Sequence, residues 1–190
     1  MPAALETRAF KTPAALRTWL ARHHEDTPGL WIRFYKKGSG IPSVTYAEAV
    51  DEALCHGWID GQANKGDDTS WVQRFTPRRP NSKWSLRNTE LATRLIDAGR
   101  MKAAGQRAID EAKKDGRWQA AYSPPSRAEV PADFVAALAR DRKALAFFRT
   151  LNRANLFAIA YRLETAKKPE TRQRRFDAIL AMLARGEAFH

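Results

Sequence analysis

The stretch Thr45-Tyr46-Ala47-Glu48-Ala49-Val50-Asp51-Glu52-Ala53-Leu54-Cys55-His56-Gly57-Trp58-Ile59-Asp60-Gly61 decides how the chain folds. Thr45 followed three residues later by Glu48 has the form of a capping box, in which the two side chains satisfy free N–H groups at a helix start. Ala49, Val50, Ala53 and Leu54 continue at helical spacing, and Gly57 suits the left-handed residue that closes a helix. Trp58-Ile59-Asp60-Gly61 then reads as a short strand. Upstream, Leu30-Trp31-Ile32-Arg33-Phe34-Tyr35 is too short and too aromatic for anything but a strand, opened by Pro28-Gly29 and closed by Lys36-Lys37-Gly38-Ser39-Gly40. Downstream, Trp71-Val72-Gln73-Arg74-Phe75 alternates as a half-buried strand does and forms a hairpin with the preceding one. The expected fold is α+β: a small three-stranded sheet with a β-α-β-β core, flanked by helices.

Working outward, Thr12-Pro13 is a helix start, with the hydroxyl as N-cap and Pro at the first helical position. Leu16, Trp19 and Leu20 follow at helical spacing as far as about His24. After residue 75 the periodicity turns helical. Ser82 or Ser85 caps a helix carrying Leu91, Leu95 and Ala98 that Gly99 ends. Met101, Ala104, Ala108 and Ala112 make a thin stripe of small residues, and Gly116 stops it. Ser123-Pro124-Pro125-Ser126 cannot continue a helix and marks a boundary. Residues 131–140, 142–150, 154–167 and 169–185 read as successive helices. The expected division is an α+β domain over 1–122, a Pro/Ser linker over 123–130 and a C-terminal helical subdomain over 131–190.

The chain has 190 residues, 44% of them hydrophobic and 28% charged, and its mean hydropathy of −0.56 is that of a soluble globular protein. No run reaches the roughly 18 apolar residues a membrane span needs. Residues 1–12 lack the apolar centre of a secretion signal, so membrane insertion is not expected and a cytoplasmic location is. The lone Cys55 rules out an internal disulfide and a thiolate zinc cluster. Adjacent His23 and His24 lack the spacing of a helical metal pair, and Gly38-Ser39-Gly40 lacks that of a phosphate or dinucleotide loop. No metal and no cofactor is expected. The net charge is +12, and it is uneven: residues 1–70 carry 8 Lys and Arg against 9 Asp and Glu, residues 71–130 carry 13 against 6, and residues 131–190 carry 12 against 6.

The richest local chemistry lies between the last strand and the following helix, in Arg74, Arg78, Arg79, Ser82, Lys83, Trp84, Ser85 and Asn88. Guanidinium groups bind carboxylate or phosphate bidentately, and a helix start offers unpaired N–H groups and the positive end of its dipole. The bland alternative is that Arg78 and Arg79 pair with Asp67 and Asp68 across a surface loop while Ser82 only caps. Trp58 and Asp60 adjoin this loop, and Asp60 is placed to orient Arg74 or Arg78 and is a weak candidate for a catalytic acid or base. Cys55 and His56, about 100° apart on a helix, do not make a preformed nucleophile and base; Cys55 reads as core, and His56 as a cation favoured near a helix C-terminus. On the last helix, Phe176, Ile179, Leu180 and Leu183 form an apolar face that brings Arg172 into line, with Arg175 bordering it; Thr171, next to Arg172, is counted among the candidate ligand-binding residues through the motif that spans residues 166–172. Arg172 either pairs with Glu164 or completes an anion pocket with the first domain.

The segments 53–61, 74–80, Ser82-Lys83-Trp84-Ser85 with Asn88, and Ala166-Lys167-Lys168-Pro169-Glu170-Thr171-Arg172 followed by Arg175 together resemble the YdeI/OmpD-associated, or bacteriocin-protection, family over about residues 10–186. His56 stands where many relatives are expected to carry Phe or Tyr. The resemblance implies an α+β front with a helical tail and an association with tolerance of antimicrobial peptides or stress, and it carries no catalytic residues over. A protein at +12 repels cationic peptides, so protection would be indirect. The expected function is non-catalytic binding of a small anionic ligand, phosphate or carboxylate. The alternatives are nucleic acid binding, or an enzyme using Asp60 with Arg74, Arg78 and Arg79.

Overall fold

The structure, a computed structural model, describes residues 5–124 and 126–190. It is α+β, with a sheet in the order β1-β2-β4-β3 and eight helices among the described residues. Two compact units are present, Met1–Lys83 with Asn88–Gln119, and Trp84–Arg87 with Ala120–His190. Pro125, in the expected linker, lies outside the described residues.

In the first unit, β1 (Thr7–Ala9) runs parallel to β2 (Leu30–Tyr35), which pairs antiparallel with β4 (Ser70–Pro77), which pairs with β3 (Trp58–Lys65). The sheet therefore has four strands where the sequence reading expects three. The additional strand is three exposed residues with no apolar alternation, so it is held by its backbone pairing and leaves no periodic mark. The register puts Leu30 opposite Phe75 and Ile32 opposite Gln73, with Phe34 opposite Trp71, on the core face. Trp31 opposite Arg74 and Arg33 opposite Val72 lie on the other face.

Two helices cover the core face. In α1 (Pro13–His23), Thr12 accepts the Ala15 N–H, and Leu16, Trp19 and Leu20 are buried. In α2 (Tyr46–Cys55) both halves of the Thr45–Glu48 capping box are formed. Gly57 follows with φ of +74°, where a Cβ would also meet the Ala104 carbonyl oxygen at 2.8 Å. After α3 (Leu86–Asp97), Gly99 turns the chain at φ +65° into α4 (Ala103–Lys114). The buried face of α4 is Gly105, Ile109 and Ala112; of the expected stripe only Ala112 lies on it, because Met101 precedes the helix and Ala104 and Ala108 are half-buried beside that face. Gly105 is dictated by proximity: a Cβ there would sit 2.5 Å from the Cys55 carbonyl oxygen and 2.6 Å from that of Leu54. The start of α4 is thereby pressed against the end of α2.

A buried carboxylate fastens these parts. Glu52 is 1% exposed. It receives Arg17 Nη2 from α1 at 2.7 Å and Arg100 Nη2, from the α3–α4 connection, at 2.8 Å. Its neighbour Asp51 takes Arg94 Nη2 at 2.8 Å.

The second unit is helical: α5 (Ala132–Leu138), α6 (Arg142–Phe148), α7 (Arg153–Glu164) and α8 (Pro169–Ala184). Phe134, Leu138, Ala144, Ile159, Leu163, Ile179 and Leu183 form its core. Asp141 and Asn152 cap α6 and α7, and buried Asn155 accepts the N–H groups of Phe189 and His190, fixing the end of the chain.

An isolated carboxylate left in the interior costs several kcal/mol, while the two arginines, each partly exposed, can rehydrate. The double variant Arg17→Ala/Arg100→Ala should therefore lose about 3–5 kcal/mol of unfolding free energy. Replacing exposed Arg22 and Arg107 by alanine should cost less than about 1 kcal/mol. Equal losses in urea titrations of the two variants would remove the Glu52 pairing from its structural role.

Candidate functional site

The first unit carries two overlapping surface hollows of about 200 Å³ and about 300 Å³, which share His24, Glu25, His56, Ala104 and Arg107. The smaller also touches Gly57, Trp58, Arg78 and Glu111; the larger is bordered by Lys102 and Ala103. Hollows of this size suit a ligand of a few heavy atoms better than a drug-sized molecule.

Each wall follows from the fold. His24, the residue capping α1, points Nδ1 at the Leu20 carbonyl oxygen, 2.8 Å away. His56, the residue capping α2, points Nδ1 at the Glu52 carbonyl oxygen, also at 2.8 Å. The two rings meet edge to face with centroids 5.4 Å apart. A carbonyl only accepts, so in both rings Nδ1 carries the proton, and a neutral ring then offers Nε2 as an acceptor. Below them, Trp58 donates its indole N–H to the His24 carbonyl at 3.0 Å. Opposite stands the start of α4. Lys102 gives it no side-chain cap, and the amides of Ala103 and Ala104 have no acceptor inside the helix.

His56 is 3% exposed. Burial, the largest influence, lowers its pKa, the hydrogen bond it donates to the Glu52 carbonyl opposes this, and the neighbouring His24 charge acts in the same direction as burial. The residue is thus a neutral imidazole near pH 7, not the helix-end cation expected from its position. Cys55 fits its expected place in the core, 1% exposed, and burial pushes its thiol up to about 11, so no thiolate nucleophile stands beside the histidine. Among the described residues no group of three or more His, Cys, Asp or Glu side chains could hold a metal ion. No helix among them is long and apolar enough to cross a membrane.

The cations around the hollows are Arg78, Lys102 and Arg107, against the carboxylates of Glu25 and Glu111. Arg107 Nη2 lies 3.1 Å from Glu25, both side chains well exposed.

The residues singled out from the sequence are distributed as follows. Arg78 turns back from its strand, its amide bonded to the Gly57 carbonyl and its Nη1 to the Lys83 carbonyl at 3.2 Å, and it lines the smaller hollow with Trp58. Arg79 is exposed, and its amide is held by Ser82 Oγ at 2.9 Å. Ser82 therefore closes a turn and does not cap α3, which starts at Leu86 directly after Ser85. Arg74 lies on the sheet face away from the core, its guanidinium against Gly61. Arg74 and Arg79 do not line the hollows that Arg78 lines. Asp60 accepts the Tyr46 hydroxyl at 2.7 Å and is in no ion pair among the described residues, so it does not orient Arg74 or Arg78. Asp67, the suggested partner of Arg78 and Arg79, pairs with Arg33 at 3.3 Å. Lys83 is exposed, while Trp84 and Asn88 are buried. Trp84 and Ser85 belong to the second unit, where the Trp84 carbonyl and the Ser85 strand bridge engage Tyr122.

In the second unit, Arg172 pairs with Asp133 at 2.8 Å, not with Glu164, and its guanidinium lies 5.8 Å from the Phe176 ring centre. Arg175 Nη1 donates to the Arg162 carbonyl at 2.7 Å. Thr171 sits half-buried in the first turn of α8.

Sequence reasoning overlooked His24, Lys102, Ala103, Ala104 and Arg107. Each is unremarkable in its own helix, and they meet only because α4 docks on the end of α2. One available signal was the glycine at 105, a residue that permits close approach inside a helix.

Two family models match the chain. The one described as Domain of unknown function (DUF8412) covers residues 8–108, slightly more than half of the chain. The one described as Bacteriocin-protection, YdeI or OmpD-Associated covers residues 127–186, within the span over which the resemblance was read. No curated protein and no solved structure matches significantly.

A histidine whose folded pKa is lowered takes up its proton more readily in the unfolded chain. Its contribution to stability is then present above the ordinary value and lost as pH falls through the window below about 6.5. Urea midpoints should drop between about pH 7 and about pH 5, and less steeply in His56→Gln. Identical slopes for the two proteins would show that His56 is not held neutral.

Proposed function

We propose that this chain, which belongs to the DUF8412 family and matches the model described as Bacteriocin-protection, YdeI or OmpD-Associated over residues 127–186, is a non-catalytic cytoplasmic protein that binds a small anion in the His24–His56 hollow. The observation that carries this reading is the uncapped start of α4 facing the hollow beside Arg78, Lys102 and Arg107. Helix-start amides and the dipole attract negative charge, and the neighbouring cations add charge-assisted hydrogen bonds. Any effect on tolerance of bacteriocins, antimicrobial peptides or stress follows from occupancy of this site, because a basic protein is poorly matched to cationic peptides.

A second reading, nucleic acid, draws on the sheet face away from the core. Half-buried Trp31 and Tyr35 lie there with Arg33 and exposed Arg74, a combination of stacking rings and cations that suits single-stranded nucleic acid.

Calorimetry and thermal shift separate the readings. Inorganic phosphate at about 100 times its dissociation constant should add about 2.7 kcal/mol to the stability of the wild type. The Lys102→Ala/Arg107→Ala variant should need much more phosphate for the same gain. Absence of stabilisation by phosphate, sulfate, acetate and glycolate alike would overturn the anion reading. Labelled single-stranded DNA that binds with a steep salt dependence, and is lost in Trp31→Ala/Arg74→Ala, would establish the second reading.

A further inference from the structure

The hollow holds one polar group that an ordinary anion cannot satisfy. His56 is 97% buried by its 3% exposure, lines both hollows, and spends Nδ1 on the Glu52 carbonyl. Its Nε2 has no hydrogen-bond partner among the described residues. A neutral Nε2 is an acceptor, and a bare oxyanion also only accepts, so the two face each other lone pair to lone pair. The rest of the wall is mixed: Lys102 and Arg107 donate and the Ala103 and Ala104 amides have no acceptor inside their own helix, while the Glu25 carboxylate, 3.1 Å from Arg107, only accepts.

Resting on the anion reading above, we propose that the natural ligand is a small oxyacid anion that carries its own proton donor next to the charge, with that O–H directed to His56 Nε2 while the charged oxygens face the start of α4. Hydrogen phosphate and small 2-hydroxycarboxylates have this chemistry; sulfate and the plain carboxylates lack it. The geometry is consistent with such an assignment because the acceptor comes from the end of one helix and the donors from the start of another. One ligand with both kinds of group bridges α2 and α4. An acceptor that opens only onto the hollow discriminates between ligands, since one without the donor displaces water from Nε2 and gives nothing back.

The test uses the full-length protein and two matched pairs, phosphate against sulfate and glycolate against acetate, by calorimetry near pH 7. Members of each pair differ in the presence of the O–H, and the expected preference is about tenfold for the member that has it. His56→Leu should bring each pair to near equality while keeping measurable binding of sulfate and acetate. Should that variant fail to fold, lowering the pH of the wild type serves instead. Protonated His56 becomes a donor, and the phosphate preference should shrink or reverse. The groups facing His56 are His24 and Glu25 from the end of α1, Glu52 one turn back, Lys102 and Arg107 from α4, and Arg78 and Glu111 across the smaller hollow. Their charges act on both members of the glycolate and acetate pair alike, so the ratio within that pair reads His56. Equal affinities within both pairs at pH 7 would overturn this inference and leave the anion reading standing. No binding by any of the four would overturn the anion reading itself.

Discussion

Glu52 is the constraint on which the first unit depends. A carboxylate 1% exposed must be compensated, and the compensation comes from α1 through Arg17 and from the α3–α4 connection through Arg100. Both partners approach from outside the core and keep part of their surface in water, which limits the desolvation cost of the cluster. One turn further on, the same residue's carbonyl receives His56 Nδ1. The side chain thus fixes where α4 begins, and the backbone fixes which nitrogen of His56 is left over.

The hollow gains its character from that arrangement. His56, tied through Nδ1 to the preceding turn of its own helix, gives one wall an acceptor, while His24 Nε2 lies 3.6 Å from the Glu25 carboxylate. The start of α4, with Lys102 and Arg107, makes the facing wall a donor surface. A buried thiol pushed up to about 11 sits behind His56 and takes no part.

Much of the architecture was legible because its signals are local. The Thr12-Pro13 start, the Thr45–Glu48 capping box and the alternation through Leu30–Tyr35 each depend on residues within one turn or one strand, and each appears where it was expected. Strand Thr7–Ala9 was not legible, because an exposed edge strand paired through its backbone needs no particular side chains. The site was harder for a related reason. Arg74, Arg78 and Arg79 are close in sequence, but strand alternation sends Arg74 to the far face of the sheet, and the turn closed by Ser82 leaves Arg79 exposed. His24 and His56 are far apart in sequence and come together only through packing, so each read alone looks like an ordinary helix end.

All of this turns on His56 presenting a neutral ring with its proton on Nδ1, held by the Glu52 carbonyl, and its Nε2 open to a ligand. Nitrogen-15 spectra of the imidazoles near pH 7 test this directly. The expected result is a protonated Nδ1 and a bare Nε2 for His56, with the Nε2 signal moving on addition of phosphate while those of His23 and His190 stay in place. A His56 found as imidazolium, or with the proton on Nε2, or unmoved by saturating phosphate, would contradict it.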